Sequence, residues 1–282
     1  MSIKTSDILL TAIGPVIWGS TYLITTELLP PAHPLTAAVI RVLPIGILLA
    51  LLSSYTPPKT MWPKLALLSI LNIAIFQALL FVAAYRLPGG VAATLGAIQP
   101  IVVGFLSWLV LQQKPHPLQW LAALGGILGV ALMVLKPDAT LDSLGILAAL
   151  IGAATNATGT IFTRKWCKNM PIQTLTAWQL WMGGLMLLPF ACLMEYRLDQ
   201  LTIPNYLGYA YLAVFGSGIA YTLWFRGIQK LTVTGVTMLA LLSPVVATIL
   251  GFAFLQQAMN SWQLVGGALV LASVVLGQFG KR

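Results

Sequence analysis

Apolar residues along this chain come in unbroken runs of about twenty, not in the alternating or one-faced patterns of soluble strands and helices. The runs predict ten membrane-spanning helices. These are approximately Ile8–Glu27, Leu35–Ser53, Lys64–Tyr85, Val91–Leu111, Leu118–Leu135, Leu144–Thr163, Thr174–Met194, Tyr206–Phe225, Thr234–Leu255 and Trp262–Phe279. Each is near the length that crosses a hydrocarbon core about 30 Å thick. Proline-bearing turns (LLPPAHP, YTPPKTMWP, RLPGG, KPHP and LKPD) separate many of them, because proline blocks helix continuation and disfavours helix at the residue before it.

Composition agrees. The 282 residues are 59% hydrophobic and 7% charged, against about 25% charged in a soluble domain, so this chain cannot cover a water-exposed surface. No polar stretch between runs is long enough for a soluble domain. The first run is preceded only by Lys4, lacks a clear small-residue cleavage site and is long enough to span, so it reads as a helix and not as a signal peptide.

Charge orients the bundle. With the N-terminus inside, the inner side holds Lys4, Lys59, Lys64, Lys114, Arg164, Lys165, Lys168, Arg226, Lys230, Lys281 and Arg282. The outer side holds Arg86, Lys136 and Arg197, and the acids Glu27, Asp138, Asp142, Glu195 and Asp199 fall at or near it. The positive-inside rule then puts both termini in the cytoplasm of a multi-pass protein of the inner (plasma) membrane. The same bias accounts for the net charge of +9 without a nucleic-acid partner. Cys167 and Cys192 fall on opposite sides, which argues against a disulfide.

An internal repeat is visible. A shift of 140 pairs Gly19 with Gly159, Ser20 with Thr160, and Leu35-Thr36-Ala37 with Leu175-Thr176-Ala177. A shift of 144 pairs Phe81 with Phe225, Pro100 with Pro244, and Leu111-Gln112-Gln113 with Leu255-Gln256-Gln257. Each half holds five helices, an odd number, so the second copy enters from the other face. The expected architecture is therefore all-α, with ten transmembrane helices in two inverted five-helix repeats, residues 1–138 and 139–282. Such repeats are found in secondary transporters, with substrate bound between the halves near mid-membrane.

Polar groups at membrane depth must face protein or a wet cavity. The candidates for a substrate site are Trp18 and Tyr22, Asn72 with Phe76 and Gln77, Gln99, Asn156 and Thr160, Trp178, Tyr221 and Trp224, and Ser243. Interhelical hydrogen bonding is the competing role for each polar one. Trp18 and Trp224 lie too deep for an interfacial aromatic belt, which Trp62, Trp120 and Trp262 fit. Pro100 and Pro244 are candidate kinks or hinges. Gly125, Gly126 and Gly129 offer a close helix contact, expected within the chain. Arg41 is the one charge clearly inside a span, roughly 9 Å from the outer end of its helix at 1.5 Å per residue. Glu27 is its nearest acid in this topology, and an ion pair between them would brace or gate the outer mouth; snorkelling of Arg41 is the alternative. No acid lies at mid-depth, and His33 and His116 fall in turns, so a facilitator or exchanger fits better than built-in proton coupling.

Trp18-Gly19-Ser20, Arg41, AIQPIVVG and LLSPVVAT resemble the drug/metabolite transporter superfamily in its EamA-type ten-helix branch, over essentially the whole chain. WGSTYLITTELLPP and FVAAYRLPGGVAATLGAIQP look most like members described as probable blue-pigment (indigoidine) exporters. The resemblance implies export of small metabolites through a cavity between the repeats by alternating access. Related four-helix multidrug exporters carry a glutamate mid-way along helix 1, where this chain has Trp18.

The resulting expectation is an exporter of small amphipathic or aromatic metabolites, amino-acid-like or pigment- or drug-like. Its partners are a small-molecule substrate and the lipid bilayer, it has no cofactor or metal, and it is a monomer or weak homodimer. A proton-coupled multidrug or metabolite antiporter is the alternative. A membrane enzyme lacks a visible nucleophile, base or metal set, and a non-transporting subunit would not need repeat-related polar positions.

Overall fold

The computed structural model describes residues 5–31, 33–87, 89–134, 142–195, 201–255 and 260–279. The predicted repeat boundary at 138/139 lies outside them, as do Lys4, Lys136, Asp138, Arg197, Asp199, Lys281 and Arg282 of the charge argument. The described residues are helical with no strand, and their helices join into ten segments. We number these α1 (Thr5–Leu28), α2 (Pro34–Leu51), α3 (Lys59–Arg86), α4 (Val91–Leu111), α5 (Pro117–Val134), α6 (Ser143–Trp166), α7 (Ile172–Met194), α8 (residues 203–230), α9 (Val233–Leu255) and α10 (Ser261–Gln278). Eight are long and apolar enough to cross a membrane by length and composition; α5 is a shorter apolar helix, and α8 carries Arg226, Gln229 and Lys230 in its second half. The outer surface is apolar, with Leu121, Leu128 and Leu264 each more than half exposed, as a face turned to lipid requires.

Two boundaries differ from the sequence reading. α3 starts earlier, through a 3₁₀ turn at Lys59–Met61 that follows Pro58. α8 runs on past Phe225 because its polar end finds partners inside the bundle: Arg226 pairs with Asp7, and Gln229 donates to the Cys167 and Met170 carbonyls.

Local chemistry sets the helix ends. Pro34 and Pro117 open α2 and α5. The Asp142 carboxylate accepts from Gly145 N at 2.7 Å, and capping boxes start α8 (Thr202 with Asn205) and α10 (Asn260 with Gln263). The first amides of α2, Leu35 N and Thr36 N, donate to the Glu195 carboxylate at 2.9 and 2.8 Å, so the loop after α7 caps a distant helix and complements its dipole.

Five interruptions break the helical ladder. α1 breaks at Gly19–Ser20, where Ser20 Oγ donates to Ile17 O. α3 contains a π-helical turn at Ile70–Ile75 and α8 another at Val214–Ile219, 144 residues later. α4 and α9 each loosen into a turn, at 97–98 and 240–241, shortly before Pro100 and Pro244.

α2 lies antiparallel along α7, and α5 along α10. Both contacts bring backbones together at glycine. A Cβ on Gly46 would overlap the Trp181 amide nitrogen, and one on Gly129 would lie 2.8 Å from the Gly266 carbonyl oxygen. The glycine stripe of α5 thus serves a contact within the chain. Replacing Gly46 by alanine should cost about 1–3 kcal/mol through overpacking, read as a lower unfolding midpoint in detergent. Gly96→Ala, whose Cβ meets nothing within 4 Å, should stay near wild type.

Candidate functional site: a central cavity

Seven helices, α1, α2, α3, α4, α6, α8 and α9, enclose one cavity. Its volume is about 190 Å³. Its floor lies near mid-depth, where Trp18 packs edge-on against Tyr221 (ring centroids 5.1 Å apart) and against Trp224 (5.2 Å). From there the lining climbs away from the face that holds the start of α1 and the end of α10. It passes Thr21, Tyr22 and Thr25 on α1, Phe76 to Ala84 on α3, Ala92 to Gly96 on α4, and Ala148 to Ala153 on α6.

Of the substrate-site candidates, Trp18, Tyr22, Phe76, Gln77, Gln99, Asn156, Tyr221, Trp224 and Ser243 meet in this lining, and so do Pro100 and Pro244. Gln77 Nε2 donates to the Tyr221 hydroxyl at 2.9 Å, and Gln99 Nε2 donates to Asn156 Oδ1. These bonds tie α3 to α8 and α4 to α6 across the cavity wall.

Asn72, Thr160 and Trp178 lie elsewhere. Asn72 and Phe76 are four apart and would share one α-helical face, but the π turn at Ile70–Ile75 widens the spiral between them. Phe76 reaches the cavity, while Asn72 turns into the α6–α7 interface and donates to Gln179 Oε1 (2.7 Å) and Thr163 Oγ1 (3.0 Å). Thr160 sits one turn below Asn156, buried beneath the floor. Trp178 packs at an angle against Trp62 and edge-on against Trp181 near the start of α7.

The expected Glu27–Arg41 ion pair is absent. Glu27 is exposed at the end of α1, whereas Arg41 is 2% exposed and lines the cavity. Arg41 neither snorkels nor meets the acid, because it has a partner closer at hand. Its Nη2 donates to the Gly216 carbonyl at 3.2 Å, and the same oxygen accepts from Trp18 Nε1 at 2.9 Å. Gly216 lies within the π turn of α8, whose altered register re-aims backbone carbonyls.

Two features escaped the sequence reading. The first is the wall of small residues, Ala83, Ala84, Ala92, Ala93, Ala148, Ala149, Gly152 and Ala153, which makes the space. Its signal is present in VAATLGA and AALIGAAT. The second is a polar lock beneath the floor. Asp7 of α1 pairs with Arg226 of α8 at 2.5 Å, Arg164 of α6 donates to the Ile228 carbonyl at 2.6 Å, and Gln229 holds the turn after α6. Cys167 lies in that turn, 1% exposed, and Cys192 is likewise free. Burial pushes the Cys167 thiol up to about 12, against a smaller opposing pull from Lys64. Among the described residues, no group of three or more His, Cys, Asp or Glu side chains could hold a metal ion.

Ten helices, seven of them around a central cavity, define a multi-span membrane protein fold. The sequence comparisons give the family. A model of the EamA-like transporter family matches residues 5–135 and again residues 143–277, and the chain belongs to that family. It is 42% identical to Protein PecM of Dickeya dadantii (strain 3937) over 94% of this chain and 90% of that one. It is 26% identical to the uncharacterized inner membrane transporter YedA of Escherichia coli (strain K12), over 94% and 88%. A solved crystal structure superposes with a TM-score of 0.80 at 17% identity, covering 97% of this chain and 96% of that one, and carries the fold alone.

The buried thiol supplies a test of the closed terminal face. Thiolate is the reactive form, so at pH 8 Cys167 should resist N-ethylmaleimide in the native protein and react fully in SDS. The sign for stability follows. Below the ordinary thiol value of 9.0, folded and unfolded states are both protonated and Cys167 contributes no pH dependence. Between 9.0 and about 12 the unfolded state releases a proton that the folded state keeps, so this contribution to stability should fall as pH rises.

Proposed function

We propose that this protein exports small planar or amphipathic metabolites by alternating access, and that the structure is its outward-facing state. The observation carrying the proposal is the asymmetry of the cavity. Its lining runs from mid-depth toward one face, while the aromatic floor and the Asp7–Arg226 and Arg164 contacts lie toward the other. Cytoplasmic termini, as the basic residues favour, make the closed face the inner one.

The mechanism is a rocking of two inverted five-helix halves, residues 1–138 and 139–282, about the cavity. Three features support the repeat: the π turns 144 residues apart, the turns preceding Pro100 and Pro244, and the pairing of α2 with its repeat mate α7 and of α5 with α10. Substrate held between Trp18, Tyr221, Trp224 and Phe76 shifts the balance of inward and outward states through its different affinity for each. The cavity lies within one chain, so a monomer suffices.

The described residues of the lining include no acid, which favours a facilitator or exchanger. One observation favours a second reading, proton-coupled exchange: Asp7 is a carboxylate within the inner closure itself, ion-paired to Arg226.

Purified protein in liposomes, assayed with a panel of labelled aromatic metabolites, should carry at least one faster than protein-free liposomes do. Flux at background for the whole panel counts against transport, and flux that collapses without a pH gradient selects the second reading. Trp18→Ala should lower that flux with folding intact; wild-type flux would make Trp18 a packing residue. Asp7→Asn should move the balance toward the inward-facing state by about 1–3 kcal/mol, the worth of a charged hydrogen bond. A thiol reagent applied from the cytoplasmic side should then reach a cysteine placed at Thr160 faster than in the parent. Unchanged labelling would show that the pair does not hold the closure.

A further inference from the structure

We propose that Arg41 is the anion-recognition residue of the cavity and that the preferred substrate is a planar organic acid carrying one carboxylate. This rests on the transporter reading above and names its substrate class.

Arg41 is 2% exposed, lies on the lining and cannot reach water by snorkelling. Its Nη2 donates to the Gly216 carbonyl, but Nε and Nη1 have no partner among the described residues. Gly216 takes one hydrogen of Nη2, so the second, together with Nε–H or with Nη1–H, leaves one edge of the guanidinium fork for two parallel hydrogen bonds. That is the geometry in which arginine takes a carboxylate.

The described residues offer no counter-charge. Of the described acids, Asp7 is paired with Arg226, Asp142 with Arg86, and Glu195 caps α2 at Leu35 and Thr36. Glu27 is exposed, and none of the four lines the cavity. A buried charge without a partner is costly, so an entering anion is favoured by the desolvation already incurred at Arg41.

The surroundings narrow the anion. Among the described residues Arg41 is the only charged one on the lining, which suits one negative charge and not a multivalent phosphate. With no acid to receive an ammonium, an acid without an amino group fits better than a zwitterion. Trp18 and Arg41 share the Gly216 oxygen, so the guanidinium is fixed beside the aromatic floor of Trp18, Tyr221 and Trp224. A flat ring bearing a carboxylate meets both at once. Gln77, also on the lining, carries a buried Oε1 with no partner among the described residues.

The test uses full-length protein in detergent at pH 7 and three acids with their neutral amides: benzoate, 2-naphthoate and 9-anthracenecarboxylate. At least one acid should bind roughly tenfold or more tightly than its own amide, a ratio that a packing role for Arg41 would not produce. Arg41→Gln should lose the preference while retaining amide binding, and Arg41→Lys should keep part of it. Equal binding of acid and amide in every wild-type pair overturns the proposal, as does failure of every acid to bind. So does an Arg41→Gln protein that still prefers the acid. The wild-type ratios decide the matter even if Arg41→Gln does not fold. Flux of the amides in liposomes separates the two readings. Amide flux without acid preference removes the carboxylate site and leaves transport standing, whereas acid-selective binding with no flux of any probe removes transport and leaves the site.

Discussion

A backbone inside a bilayer has no water to bond, so every departure from a regular helix must be satisfied by other protein groups or face a wet cavity. The distribution of such departures organises this molecule. The five interrupted helices, α1, α3, α4, α8 and α9, all line one cavity, whereas α2, α5, α6, α7 and α10 run without a break. Of the unbroken helices, α2 pairs with α7 and α5 with α10 along glycine contacts, which gives a stiff frame. Interrupted ones supply carbonyls and altered side-chain directions where the frame leaves room.

The Gly216 carbonyl shows what an interruption makes possible. A π turn on α8 lets one oxygen accept from Trp18 on α1 and Arg41 on α2. A cation is thereby held near the cavity floor without an acid beside it. The same region sits above the Asp7–Arg226 lock, so the aromatic floor separates an upper half lined largely by small apolar residues from a polar, closed lower one.

Much was legible in the linear pattern. Ten apolar runs with proline-bearing turns gave the helices to within a few residues, because hydrocarbon thickness and the chemistry of proline act locally. Several site positions were also legible, since Trp18, Gln77, Gln99 and Tyr221 are polar or aromatic at a depth where lipid disfavours them. Asn72 misled because helical spacing assumes 3.6 residues per turn, and the π turn between it and Phe76 cannot be read from ILNIAI. The alanine wall misled in another way: space is made by what side chains lack, and small residues also signal tight packing.

Sequence alone determined the class of solvent, the number of helices and the family resemblance, all of which follow from composition and local chemistry. Tertiary structure decided which polar residues face the cavity, that Glu27 and Arg41 stay apart, and that Asp7 closes one end with Arg226. Those outcomes depend on pairings between residues more than a hundred positions apart, such as Arg41 with Gly216 and Asp7 with Arg226. Such pairings exist only once the helices have packed and brought distant groups within hydrogen-bonding reach.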